Sequence, residues 1–266
     1  MKIKVLYEDT NILAIDKPSG ILVHPAPEHP SSRAKLTTGQ RVRHGAGSDK
    51  STILSIFLKK YPKLEVVHRL DRDTSGVMLL AKNKKAHEFL KKQFQDRTIK
   101  KTYYTIVSGW VKNDRGIINK PIGRSPKDFR RHLAGRGARG EMREAITEYK
   151  VLKRFKAKAY QNFYLRGSRP VLGEGRRRKN FDVLDQLPFT YLEVKPKTGR
   201  THQIRVHMKF LNHPVVCDLL YNPDGFCPKG ISRMALHAKS IEFENLKGKT
   251  VKVESTVPKE FGKVIK

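Results

Sequence analysis

The run His68-Arg69-Leu70-Asp71-Arg72-Asp73-Thr74-Ser75-Gly76 gathers two carboxylates, two guanidiniums, an imidazole and two hydroxyls. Two readings of this stretch stand side by side. Asp side chains capping backbone donors, with Gly76 at positive φ, would make it a tight turn. A loop this polar between buried strands can equally carry chemistry, because reactive groups concentrate on loops that a rigid scaffold holds.

The flanking residues supply such a scaffold. Val66 and Val67 precede the run and Val77-Met78-Leu79-Leu80-Ala81 follow it. Short Val- and Leu-rich runs bounded by turn residues read as buried strands. Upstream, Lys2 to Tyr7 and Ile12 to Ile15 read as strands joined at Glu8-Asp9-Thr10-Asn11, and Lys17-Pro18-Ser19-Gly20 is a further turn. A helix is expected from a Ser51 cap to Lys60, with Ile53, Ile56 and Phe57 on one face. Asn83 is placed to cap a second helix carrying Ala86, Phe89, Leu90 and Phe94. Thr102 to Val107, Ala145 to Leu152, Phe189 to Val194, Ala235 to Phe243 and Val251 to Val253 read as strands, and Arg200 to Leu211 as a helix with Ile204, Met208 and Leu211 inward. Helices and strands alternate without a βαβ rhythm. The expected class is α+β, one domain over residues 1–266 on a mixed, mostly antiparallel sheet.

The 56 Lys+Arg against 25 Asp+Glu leave a net charge of +31, which points to a polyanionic partner, nucleic acid before membrane. No apolar run approaches the roughly 20 residues of a membrane span. Two segments concentrate the charge. Arg124 to Gly140 is expected to be a basic, glycine-bearing loop, and Arg166 to Lys179 a second one, densest at Arg176, Arg177, Arg178 and Lys179. The chain opens without a signal-peptide core, and Cys217 and Cys227 form no framework. Reduced cysteines and a cytoplasmic setting are expected.

Further polar clusters interrupt apolar elements at Lys101-Thr102-Tyr103-Tyr104, at Thr198 to His207, and at Arg233 to Ala238. His68-Arg69-Leu70-Asp71 with Thr74-Ser75-Gly76, followed by Gly199-Arg200-Thr201-His202-Gln203-Ile204-Arg205-Val206-His207, resembles the RluA-like family of pseudouridine synthases. Ile12 to Pro25, Lys101 to Gly109, Pro121 to Arg124, His213 to Asp218 and Leu236 to Ile241 are similar to other blocks of that family, in order. Several long motifs in order are far more specific than one. The family often carries an S4-type module ahead of the catalytic domain, and none is expected here. Residues 26–50 and 166–180 read as insertions, and Lys63-Leu64-Glu65 replaces the usual Arg-Pro-Gly.

The resemblance implies isomerisation of uridine to pseudouridine in RNA, without metal or cofactor. It assigns Asp71 to the ribose as nucleophile or general base, and Arg205 as its ionic partner. Tyr103 would stack on the uracil and help remove the C5 proton, and Leu236 would wall the uracil pocket. Arg69 would fill the place of a flipped-out nucleotide. Arg124 and Arg176 to Lys179 would contact RNA, either ribosomal, the favoured class, or transfer RNA. A monomer is expected.

Other chemistries fit less well. Asp73-Thr74-Ser75-Gly76 misses the aspartic-protease turn, because Ser75 interrupts it and no second copy exists. Asp71 and Asp73 as a metal-dependent phosphatase pair would need downstream acids that are absent. His202, His207, His213 and His237 do not follow a zinc spacing, and Arg205 between the first two would repel a cation. An inactive RNA-binding scaffold is countered by the joint presence of Asp71, Tyr103 and Arg205.

Overall fold

The computed structural model describes residues 3–24, 52–161 and 183–265. The expected insertions, and Arg176, Arg177, Arg178 and Lys179 with them, lie outside the described residues.

Strands β1 (Lys4–Glu8) and β2 (Ile12–Lys17) meet at a turn where Asp9 Oδ1 accepts from the backbone N–H groups of Asn11 and Ile12, both at 2.7 Å. Helix α1 (Ile53–Leu58) starts one residue later than the sequence reading, because Thr52 and Ser55 form a reciprocal capping box. Strands β3 (Glu65–Val66) and β4 (Ser75–Ala81) flank the polar run. Every residue of β4 is buried, because its faces alternate into two cores. Met78 and Leu80 pack with Ile53 and Phe57 of α1, while Val77, Leu79 and Ala81 pack with Ala86 and Leu90 of α2 (Lys84–Gln95). Asn83 caps α2 as expected, accepting from Ala86 N–H at 2.9 Å.

The chain continues through β5 (Lys100–Ser108) and β6 (Arg115–Asn119), then β7 (Ile122–Arg124), β8 (His132–Ala134) and β9 (Arg139–Arg143). These last three form their own sheet, in the order β8-β7-β9. The basic loop expected over Arg124 to Gly140 is therefore corrected to a small antiparallel sheet with β7 in its centre. Its apolar signal is weak because its turns and strands are rich in arginine, while Ile122 alone anchors β7 in a small core with Ala145, Val206 and Tyr221.

Strands β10 (Ile146–Gln161) and β11 (Val183–Pro196) run well beyond the apolar segments that announced them. In the extension of β10, Phe155, Ala157 and Ala159 alternate with the exposed Lys156 and Lys158, and the ladder pairs them with residues of β11 from Phe189 back to Leu184. Then come α3 (Gln203–Phe210), β12 (Phe226–Pro228), β13 (Leu236–Glu244), β14 (Thr250–Glu254) and a terminal helix α4 (Lys259–Ile265), which buries Phe261. Helix α3 begins three residues later than expected, since His202 takes a left-handed conformation at φ 56°.

Among the described residues the main sheet has eleven strands, eight along the path β1-β2-β4-β13-β5-β11-β10-β12 and three beside it, β14 on β13, β3 on β4 and β6 on β10. Among the described ladders only β4–β13 is parallel. This is the expected mixed, mostly antiparallel α+β arrangement. The expectation of two unpaired cysteines is corrected as well. Cys217 and Cys227 are joined as a disulfide, because β12 turns back toward the segment after α3 and brings their Cα atoms to 5.2 Å.

Candidate active site

The polar run is held rigid from three sides. Beneath it, the side chain of Lys17 is fully buried, and Nζ donates to the carbonyls of Arg72 and Thr74 at 2.8 Å and of Pro18 at 3.0 Å. Burial pushes this ammonium down to about 8, with Asp73 and Asp71 pulling the other way. Ser19 Oγ donates to Asp73 O at 2.7 Å and Gly20 N to Arg72 O at 2.9 Å, so the Lys17-to-Gly20 turn clasps the loop. At the loop entrance, His68 Nε2 accepts the backbone N–H of Leu79 at 2.9 Å, and its ring lies on Phe94. At the exit, Ser75 Oγ and His237 Nδ1 are 2.8 Å apart. Gly76 (φ 109°) lies so close to the Ala238 carbonyl that any Cβ would collide with it.

Asp71 stands on this loop with one fifth of its side chain exposed, and Oδ2 accepts from Arg205 Nη1 at 2.9 Å. The same guanidinium binds Asp218 in a two-point pair, Nε to Oδ2 at 2.7 Å and Nη2 to Oδ1 at 2.8 Å. Burial alone would lower the pKa of Arg205, but Asp218 and then Asp71 outweigh it and raise it. Asp218 Oδ1 also accepts the backbone N–H groups of Leu220 and Tyr221 at 3.0 Å. The Tyr221 ring covers the guanidinium at 4.9 Å, so Arg205 is fixed on every side but the one facing Asp71.

The approach of α3 sets this geometry. Gln203 Oε1 accepts from Thr198 Oγ1 at 2.7 Å and from Arg200 N at 2.9 Å, while its Nε2 donates to Ile146 O and Thr147 Oγ1. That network closes the turn before the helix. It leaves His202 with Nε2 3.8 Å from Asp71 Oδ1 and Nδ1 3.0 Å from the Tyr221 hydroxyl. Burial pushes the His202 imidazole down, opposed by Asp71.

Asp71 opens onto a cavity of about 550 Å³ whose lining includes Arg69, Tyr103, Arg205 and Leu236. Five of the residues singled out in the sequence thus share one cavity although they come from four separate segments. Arg69 is exposed at its edge, and Leu236 is buried on β13. Burial, and then the charge of Asp71, push the Tyr103 phenol up and keep it protonated. Lys101, two residues before it on β5, also lines the cavity. Arg124 does not. It is exposed on β7, opposite His132 in the small sheet, which meets the site through His132 N–H donating to the Tyr221 hydroxyl at 2.9 Å.

The four histidines considered as a metal set separate. His207 bonds to Thr147 and Lys120, His213 to Ser108, His237 to Ser75 and His202 to Tyr221. Among the described residues no cluster of potential ligands could hold a metal ion.

Sequence reading passed over Asp218, Tyr221, Lys17 and Lys101 as site residues. Asp218 closes one of the recognised blocks, and Lys101 sits at strand spacing from Tyr103, so both carried a signal. Lys17 opens the Lys17-to-Gly20 turn inside the block Ile12 to Pro25, so it carried a signal as well.

The sequence model of the RNA pseudouridylate synthase family matches residues 11–210. An uncharacterized RNA pseudouridine synthase of Aquifex aeolicus is 36% identical over 82% of this chain and 56% of its own length. One of Bacillus subtilis is 32% identical over 100% of this chain and 72% of its own length. The ribosomal large subunit pseudouridine synthase D of Xanthomonas campestris is 32% identical over 99% of this chain and 68% of its own. In fold, the chain is similar to human RNA pseudouridylate synthase domain containing 1, at a TM-score of 0.65 and 21% identity, over 96% of this chain and 83% of that one. By the extent of the family match and the identity to these relatives, the chain belongs to the RNA pseudouridylate synthase family, whose members isomerise uridine to pseudouridine in RNA.

Proposed function

We propose that this chain converts specific uridines of large-subunit ribosomal RNA to pseudouridine. The observation that carries the catalytic reading is the contact of Asp71 with Arg205 at the mouth of a cavity that Tyr103 also lines. Asp71 acts at the ribose, as nucleophile or base, while the N1–C1′ bond breaks. Arg205 keeps that carboxylate ionised and aimed. Tyr103 offers the uracil a flat face, and Leu236 closes the pocket behind it. A paired uridine is out of reach, so the nucleotide is flipped, and Arg69 stacks in the space it leaves.

The choice of RNA rests on relatives named ribosomal large subunit pseudouridine synthase D in several bacteria and on the +31 charge. Arg124 and the run Arg176 to Lys179 supply phosphate contacts. The protein works as a monomeric single domain in the cytoplasm, without cofactor. Pseudouridine mapping of total RNA from cells with and without the gene tests the reading. Sites lost from large-subunit ribosomal RNA are expected. Losses confined to transfer RNA would replace the substrate, and no loss at all would reduce the protein to an RNA-binding scaffold.

A further inference from the structure

We propose that Lys101 is a catalytic residue whose ammonium balances the negative charge of the uracil once its bond to the ribose has broken. The proposal rests on the reading of the site given above and adds a group to it.

Lys101 and Tyr103 are two positions apart on β5, so both side chains leave the same face of the sheet. Their Cα atoms are separated by about 6.8 Å of strand, and both line the cavity that Asp71 opens onto. A lysine side chain spans that distance, so its ammonium reaches the oxygens of a base stacked on the Tyr103 ring.

The ammonium is also uncommitted. Nζ has three donors but among the described residues makes a single long hydrogen bond, to Thr198 O at 3.2 Å. Among the described residues no carboxylate lies within ion-pair distance of it. Of the other cations around the cavity, Arg205 pairs with Asp71 and Asp218, Arg97 with Glu144, Lys197 with Glu148 and Lys91 with Glu88, while Arg69 is exposed to solvent and Arg200 Nε donates to the Glu144 carbonyl. Burial, with no anion to oppose it, pushes Lys101 down to about 8. A partly buried cation without a counter-charge is costly in the resting protein. The cost is relieved when an anion enters the cavity.

The reaction makes such an anion. When N1–C1′ breaks, the bonding pair stays on the uracil and the ribose cation is taken up through Asp71. The uracil then carries one negative charge, spread over N1, O2 and O4. A new bond joins C5 to C1′, the C5 proton leaves and N1 gains a proton, so atoms and electrons balance without oxidant or reductant. Lys101 donates hydrogen bonds to the charged oxygens during this passage and transfers no proton. The charge exists only after bond scission, so the contact favours the transition state over bound substrate.

The test compares wild type, K101M, K101Q and K101R on large-subunit ribosomal RNA transcribed in vitro. RNA affinity is measured by filter binding, and pseudouridine formation by single turnover at saturating protein. K101M keeps the stem and loses the charge, and K101Q serves where K101M does not fold. Either neutral variant is expected to slow single turnover about 100-fold or more, the usual effect of removing a charge-stabilising donor. RNA affinity should stay within about threefold, and K101R should regain at least about tenfold of the lost rate. A neutral variant within about threefold of the wild-type rate overturns the proposal, as does a loss confined to affinity or K101R as slow as K101M. An active wild type in those cases leaves the functional reading standing. A wild type that forms no pseudouridine overturns that reading and the inference with it.

Discussion

Asp71 Oδ2 accepts a 2.9 Å hydrogen bond from Arg205 Nη1, the one guanidinium arm that the two-point pair with Asp218 leaves over. The arginine therefore has little freedom except to present charge to Asp71. A carboxylate held this way is preorganised before RNA arrives, so rigidity of the site resides in the protein and not in the substrate.

Replacement of Asp71 by Asn should abolish isomerisation while RNA affinity stays within about threefold, since affinity comes mainly from phosphate contacts. Single-turnover assays and filter binding measure the two quantities. Residual turnover within about tenfold of wild type would contradict the role given to this carboxylate.

The Tyr103→Phe variant retains the ring and loses the hydroxyl. Its deficit should appear in kcat and not in KM. A change confined to KM would reduce Tyr103 to a stacking platform.

Asp218 is fully buried and accepts two bonds from Arg205 and two from backbone N–H groups. Changing it to Ala leaves Arg205 as an underpaired buried charge, a loss of about 3–5 kcal/mol. Calorimetric unfolding should show this as a lowered Tm, together with slowed turnover as Arg205 leaves its position. A stability change below about 1 kcal/mol would mean that water or Asp71 replaces the carboxylate.

His237 is 1% exposed, and burial pushes its imidazole down to about 3 from 6.5. A group lowered on folding contributes stability that is complete above 6.5 and lost as pH falls toward 3, because the unfolded chain takes up the proton first. The slope through that window is about 1.4 kcal/mol per pH unit. Replacing His237 by Asn should flatten the Tm-against-pH curve between pH 6 and 4, which places the two proteins closer together in acid than at neutrality. Parallel curves would show that other groups govern the acid transition.

The run Arg176 to Lys179 is expected to supply affinity and not chemistry. Changing all four residues to Ser should weaken binding across RNA sequences and flatten the plot of log K against log salt by roughly 0.7–0.9 for each phosphate that is no longer neutralised. An unchanged slope would remove these residues from the interface. A collapse of the saturating single-turnover rate would instead tie them to the pocket.

Local signals sufficed for elements whose apolar period is unbroken. β4 is buried on both faces and reads as an uninterrupted run, and α2 combines an Asn83 cap with a regular stripe. The same signals failed where arginine and lysine dominate. The sheet of β7, β8 and β9 looked like a basic loop because its strands are three to five residues long and β9 is exposed throughout, and the outer half of β10 was passed over because its inward residues include the small Ala157 and Ala159 between lysines. A ladder partner, not an intrinsic preference, makes these residues extended.

For the site, the residue types and the order of the blocks carried Asp71, Tyr103, Arg205 and Leu236 from the chain alone. Block order cannot say which groups touch. That Asp218 holds Arg205, that Lys17 fastens three carbonyls beneath the loop, and that Lys101 lacks a counter-charge among the described residues follow from how α3, β2 and β5 are packed together. The sequence by itself determined the chemistry the protein can perform, since that depends on which groups are present. Tertiary structure decided which of those groups are buried, paired or left open, because desolvation and hydrogen bonding depend on neighbours far away along the chain.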